Sequence, residues 1–222
     1  GSGGQPANNN GVKYWKDKSG RDNHARNHIK RTGNIPKYKT GARNGKSALE
    51  FTNDVLVVDN SARFDELDQM TMFVVVKSHD ISNWAPMLSK RGESNQGWQL
   101  RRRGGDDRIT LTVRGTSGTD DPAANPYVKH RGKWRIFAAR YDGNSRTQWG
   151  NGRQEYSFSD TGTIPATASK VAIGARDNNG DNNISMSGNM TFGEIIFFKT
   201  GISNSQVAMI EGYLQDKWKV DD

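Results

Sequence analysis

Residues 98–114, WQLRRRGGDDRITLTVR, constrain the fold more than any other stretch. Successive side chains of an extended strand point to opposite faces, so a period of two sorts residues by face. Trp98 and Leu100 fall on one side with Ile109, Leu111 and Val113 of the second half. Gln99, Arg101, Arg103, Thr110, Thr112 and Arg114 fall on the other. GGDD between the halves is turn chemistry. The stretch is a β-hairpin with an apolar face that must be buried and a polar face rich in arginine. Arg102 falls in the apolar register at the strand end. There its stem snorkels to the rim and its head pairs with Asp106 or Asp107.

A hairpin cannot bury its own apolar face, so the rest of the chain must cover it. Short strand-like runs recur between turn signals: 48–51, 55–58, 70–77, 133–142, 146–152, 170–175 and 190–198. MTMFVVVK (70–77) is apolar throughout and predicts a central strand buried on both faces. Asp142, Gly143 and Asn144 supply a second hairpin turn. Only 203–218 breaks the period. Val207, Ile210, Leu214 and Trp218 recur at helical spacing with Tyr213 adjoining, behind a Ser203/Gln206 capping box. The fold class is all-β, a two-sheet antiparallel sandwich with a short C-terminal helix.

The chain has 222 residues with no linker-like break or internal repeat, which predicts one domain over 12–222. Residues 1–11 lack the apolar content to offset ordering entropy and are expected to be a flexible N-terminal segment. Hydrophobic residues make up only 32%, but six Trp, six Tyr and eight Phe bury large areas each and make a core credible. The absence of cysteine excludes disulfides, thiolate metal sites and a cysteine nucleophile. No apolar run reaches membrane-spanning length. Net charge is +8, spread along the chain with one dense patch in the opening stretch. Such a charge suits a polyanion.

The order of segments resembles a known family. GVKYWKDKSGRDNHARN (11–27), NGKSALEF (44–51), the apolar strand, and LSKRGESNQGWQLRRR (88–103) follow one another as in LamG-like jelly rolls. These belong to the concanavalin A-like lectin/glucanase superfamily. The Gly-Glu-Ile signature within 190–198 and the capped helix ending in Tyr-Leu-x-x-Lys-Trp resemble its bacterial and phage branch. The resemblance covers about residues 11–220. It implies a jelly roll whose relatives mostly bind carbohydrate or serve in adhesion, while some are glycoside hydrolases or polysaccharide lyases. The family usually opens with an apolar strand; QPANNN stands in that place here.

Arginine meets carboxylate or sulfate with a planar fork, so Gln99, Arg101, Arg103 and Arg114 are candidates for an acidic or sulfated polysaccharide. Trp84, Trp149 and Tyr127 stand outside clean apolar runs and are the candidate rings for stacking on sugars. DNNGDNN (177–183) is oxygen-rich and, by analogy with lectin-like jelly rolls, points to calcium held by Asp177, Asn179 and Asp181. Glucanase catalysis needs carboxylates in register. The nearest match, Glu66-x-Asp68, is followed by Met70 and not by a further glutamate. A lyase base could be sought among His79, His130, Tyr127 and Tyr141, with Arg101 or Gln99 neutralising a uronate, but no motif joins them. Nucleic-acid motifs are absent. The expected function is non-catalytic carbohydrate binding, in an extracellular, cell-surface or virion setting. Decoration or adhesion by self-association within a larger assembly, and lyase or hydrolase activity, are the alternatives.

Overall fold

The computed structural model describes residues 4–92, 95–104, 108–118, 130–178 and 183–221. The strands in chain order are β1 (Tyr14–Trp15), β2 (Ala25–Asn27), β3 (Lys37–Arg43), β4 (Lys46–Thr52), β5 (Leu56–Val58), β6 (Met70–Ile81), β7 (Pro86–Arg91) and β8 (Gly97–Arg103). There follow β9 (Arg108–Arg114), β10 (Trp134–Tyr141), β11 (Ser145–Gly150), β12 (Arg153–Ser159), β13 (Val171–Ile173), β14 (Arg176–Asn178), β15 (Asn183–Ser185), β16 (Gly188–Phe198) and the helix α1 (Asn204–Trp218). One sheet runs β1-β2-β5-β13-β7-β8-β9 and the other β12-β11-β10-β6-β16-β4-β3. The strands within them pair antiparallel, as the sandwich reading requires. β14 and β15 form a separate antiparallel ribbon.

The apolar run at 70–77 lies on β6, between β10 and β16. Its two faces serve two cores. Met70, Met72, Val74 and Val76 join Phe137, Tyr141, Trp98, Leu100, Leu111 and Val113 between the sheets. Phe73 and Val75 join Trp134, Ile136, Val207, Leu214 and Trp218 beneath α1. At roughly 25 cal/mol per Å2 of apolar surface, such two-sided burial makes β6 a main source of stability.

The family-like C-terminal signature has a physical reading. The Ser203 hydroxyl accepts from Gln206 N–H at 3.2 Å, and Gln206 Oε1 accepts from Ser203 N–H at 2.9 Å, closing the capping box. At the far end Lys219 turns left-handed (φ 46°) and its N–H donates to Gln215 O. Trp218 stacks on Trp134 with ring centroids 5.8 Å apart. It lies so close to β16 that a Cβ on Gly193 would come within 2.8 Å of the indole. Glu194 then accepts from Trp218 Nε1 at 2.8 Å and from Lys217 Nζ at 3.0 Å. Gly-Glu on the strand and Lys-Trp on the helix are the two halves of one lock. Of the expected stripe, Val207, Leu214 and Trp218 are buried, while Tyr213 is exposed.

Edge strand β9 is closed by side chains of the other sheet. Leu111 N–H donates to Gln148 Oε1 at 3.0 Å and to Tyr156 Oη at 2.9 Å. Gln148 Nε2 donates to Ile109 O at 2.8 Å, and Arg146 Nη1 to Leu111 O at 3.3 Å. An open edge is thereby denied to other chains. Residues 8–11, from the segment expected by composition to be flexible, and Val12 after them run beside β3. Asn9 N–H donates to Tyr38 O at 2.7 Å, Val12 N–H to Pro36 O at 2.8 Å, and Thr40 N–H to Asn8 Oδ1 at 3.1 Å.

Candidate ligand-binding site

The hairpin has the register its sequence predicts: Gln99 faces Thr112, Arg101 faces Thr110 and Arg103 faces Arg108. Its polar face is nevertheless not an open one. Gln99 and Thr110 are fully buried, and Arg101 is 3% exposed. Gln99 bridges Ser89 Oγ at 2.9 Å and Arg91 Nη1 at 3.1 Å. Arg101 donates from Nε to Thr112 Oγ1 at 2.9 Å, and its guanidinium sits 4.7 Å from the centre of the Trp84 ring. Arg103 and Arg114 are half-buried. Burial, with Arg101 and Arg114 adding repulsion, lowers the pKa of Arg176 on β14. Period-two alternation separated the faces correctly; the expectation that this one meets solvent is corrected for Gln99 and Arg101.

The other expected residues scatter. Trp84 is left-handed (φ 68°), half-buried and packed over the hairpin end, where a side chain at Gly104 would meet its ring. Trp149 is 6% exposed in the core beneath α1, with the Arg140 guanidinium 5.3 Å from its ring centre. That buried placement replaces the exposed stacking surface expected of it. Arg102 does not reach the rim: it is buried and donates from Nη1 to Ile81 O at 2.7 Å. Asp106, Asp107, Tyr127, Asn179 and Asp181 lie outside the described residues. Asp177 is fully buried and accepts from Lys170 N–H at 2.9 Å. Among the described residues no three His, Asp or Glu side chains converge as metal ligands would.

The residues considered for catalysis do not converge either. Asp68 accepts from Thr163 Oγ1 on the surface, while Met70 is fully buried in the core. His79 Nε2 meets Thr191 Oγ1 at 2.9 Å, and burial followed by Lys77 lowers its pKa. His130 is buried against Ser78 Oγ at 2.8 Å. Tyr141 is buried in the inter-sheet core, where its hydroxyl donates to Gly162 O and burial pushes its pKa up to about 12.

An open groove lies elsewhere, at the β1–β2 end of the first sheet. Asp17 orders the loop that forms one wall. Its carboxylate accepts from Ser19 N–H at 2.9 Å, Ser19 Oγ at 2.7 Å and Asn23 N–H at 3.0 Å. Burial opposes the charge, but these bonds outweigh it and hold the Asp17 pKa below the usual carboxylate value. The loop so fixed presents Arg21, Asp22, Asn23 and His24; Arg26 follows on β2, and Asp59, Asn60 and Arg63 come from the loop after β5. Arg63 Nη1 donates to Arg21 O at 2.8 Å and ties the two loops. The enclosed space is about 270 Å3. Arg26 pairs with Asp59 at 2.5 Å, and Lys170 reaches the same carboxylate at 3.4 Å. Tyr14, 52% exposed, leans on the His24 ring at 5.0 Å and forms an aromatic ledge beside the groove. The dense charge of the opening stretch was the one sequence signal for this site. Nothing local showed that the loop after β5 would complete it.

The Laminin_G_3 family, described as the concanavalin A-like lectin/glucanases superfamily, matches residues 50–191. The chain belongs to this superfamily. No curated protein matches the sequence. Among solved structures, domain 4 of AbnA, a GH43 extracellular arabinanase from Geobacillus stearothermophilus solved with arabinotriose, is similar with a TM-score of 0.60 and 15% identity. That likeness covers 79% of this chain and 81% of the other. The binding domain of Paraclostridial Mosquitocidal Protein 1 gives a TM-score of 0.63 at 13% identity, covering 93% of this chain and 52% of that one. The Botulinum neurotoxin serotype G binding domain gives 0.58 at 12%, covering 93% and 51%. The chain thus spans about half of each toxin binding domain. At these identities the likeness shows a shared lectin-like jelly roll. No helix among the described residues is long and apolar enough to cross a membrane.

Proposed function

We propose that this jelly roll is a non-catalytic carbohydrate-binding domain of an extracellular protein, and that its ligand is an acidic or sulfated glycan. The observation that carries the reading is the groove: exposed Arg21, Arg26 and Arg63 around about 270 Å3, beside the Tyr14–His24 ledge. Arginine forks match sulfate and carboxylate, and an exposed ring offers a sugar its apolar face. The arabinanase domain solved with arabinotriose supports an oligosaccharide ligand on this fold. The hairpin residues Gln99, Arg101, Arg103 and Arg114 then act as a scaffold behind the sheet. Calcium in the 177–183 loop remains a companion proposal, tested by calorimetric titration with calcium after chelation.

Affinity electrophoresis against paired neutral, uronic and sulfated polysaccharides tests the reading. Retardation by the charged glycans alone is expected; retardation by none contradicts it. Attachment or decoration is the competing reading, favoured by Met209 and Tyr213, exposed one turn apart on α1. Concentration-dependent self-association without glycan binding would favour it.

A further inference from the structure

Two exposed aliphatic side chains stand in turns whose chemistry does not ask for them. Ile29, 69% exposed, is the second residue of the turn that Arg31 N–H closes by donating to His28 O at 3.0 Å. Such a position favours proline or a short polar side chain. Buried His28 holds the turn from below, its Nδ1 accepting from Lys30 N–H at 3.2 Å. Met186, 37% exposed, lies between β15 and β16 and is left-handed (φ 54°). That backbone favours glycine or asparagine, so methionine is held there at a cost. Neither side chain joins a hydrophobic core among the described residues.

Hydrogen bonds tie the two turns into one rim. Arg31 Nη2 donates to Ile184 O at 3.1 Å, two residues before Met186. Asn53, in the turn between β4 and β5, accepts from Asn34 Nδ2 at 3.1 Å and from Ser187 Oγ at 3.2 Å. The rim is basic. Residues 23–49 hold seven Lys and Arg and no acid, and exposed Lys30 and Arg31 directly follow Ile29. Asp54, beside Asn53, is buried and accepts from Thr52 N–H at 2.7 Å. Asp80, near the start of β16, faces Arg131 at 3.5 Å.

Apolar side chains set among cations complement a surface that is anionic on top and apolar beneath. A specific protein interface rests on about 800 Å2 of matched, close-packed surface per partner. A fluid bilayer instead closes round isolated protruding side chains. We propose that this rim docks the domain on an anionic phospholipid bilayer, with Ile29 and Met186 entering below the headgroups and Lys30 and Arg31 meeting lipid phosphates. The contact is peripheral and reversible, because two short side chains bury far less than a lipid anchor does. None of these four residues lines the glycan groove, and the docking does not depend on the glycan reading.

The chain has no cysteine, so Ile29→Cys accepts a single environment-sensitive fluorophore. The labelled full chain is titrated with vesicles of phosphatidylcholine alone and of phosphatidylcholine mixed with phosphatidylglycerol. Saturable brightening on the anionic vesicles, at least about tenfold tighter than on the neutral ones, is expected. Glycerol 3-phosphate at matched concentration should give none, since the probe must enter apolar surroundings. Cosedimentation of unlabelled chain with the anionic vesicles supplies a second readout. There Ile29→Ser/Met186→Asn should lose roughly tenfold in partitioning at unchanged net charge. Serine suits the turn and asparagine the left-handed backbone, so this variant should fold as the parent does. No brightening, equal response to neutral vesicles or to glycerol 3-phosphate, or undiminished cosedimentation of the double variant would overturn the proposal. The last would assign vesicle binding to the net charge of +8 alone. Both readouts use vesicles free of glycan, so they decide the docking whether or not the chain binds a sulfated oligosaccharide.

Discussion

Arg146 of β11 and Asp160 just beyond β12 form an ion pair at 2.6 Å with both side chains at 0% exposure. The pair belongs to the polar closure between the two sheets. Arg146 also donates to Leu111 O, and Asp160 accepts from Gly118 N–H at 2.7 Å. Removing one member of a buried pair strands the other charge, at a cost of about 3–5 kcal/mol. Asp160→Ala should lower stability in urea by that order. A loss under about 1 kcal/mol would show that water reaches Arg146.

Gln148 and Tyr156 protect the β9 edge by bonding to its backbone. Gln148→Ala leaves the Ile109 carbonyl without this donor, at about 1–3 kcal/mol. It also uncovers strand edge. Light scattering should show the variant associating at concentrations where the parent does not.

Gly193 is required by the Trp218 ring. Gly193→Ala should cost about 1–3 kcal/mol by overpacking. The loss should appear first as exposure of Trp218, read by a red shift in tryptophan emission. An unshifted spectrum with parental stability would contradict the lock between β16 and α1.

Burial raises the carboxyl pKa of both Glu155 and Glu211 from 4.5 to about 7. Between those values the folded chain binds more protons than the unfolded one. Stability should therefore fall as pH rises from about 4.5 to about 7 and level off above, by at most about 3 kcal/mol per group. His79, whose pKa is lowered, works in the opposite sense below 6.5. Thermal unfolding across this range should show the decline, and Glu211→Gln should reduce it. An unchanged slope in that variant would mean that Glu211 titrates normally.

What the sequence revealed and what it hid divide along one physical line. Local periodicity fixes which residues share a face, so Trp98, Leu100, Ile109, Leu111 and Val113 were legible as core, and Ser203 and Gln206 as a helix start. Periodicity does not tell whether the opposite face is open. Arg101 alternates correctly yet lies under Trp84, which approaches from another part of the chain. Trp149 looked solvent-facing because polar residues surround it in sequence, but α1, more than fifty residues later, helps bury it. The groove needs two loops far apart in sequence, joined by Arg63 and the Arg21 carbonyl. No single stretch could announce it.

The central claim is that the arginines of this groove, and not those of the hairpin, hold an anionic glycan. Calorimetry of a sulfated oligosaccharide should be run with Arg21→Ala/Arg26→Ala/Arg63→Ala and separately with Arg101→Ala/Arg103→Ala. The account predicts that the triple variant loses at least about tenfold in affinity while keeping its fold, and that the hairpin variant, though less stable, binds as the parent does. Parental affinity in the triple variant, or loss confined to a folded hairpin variant, would contradict it.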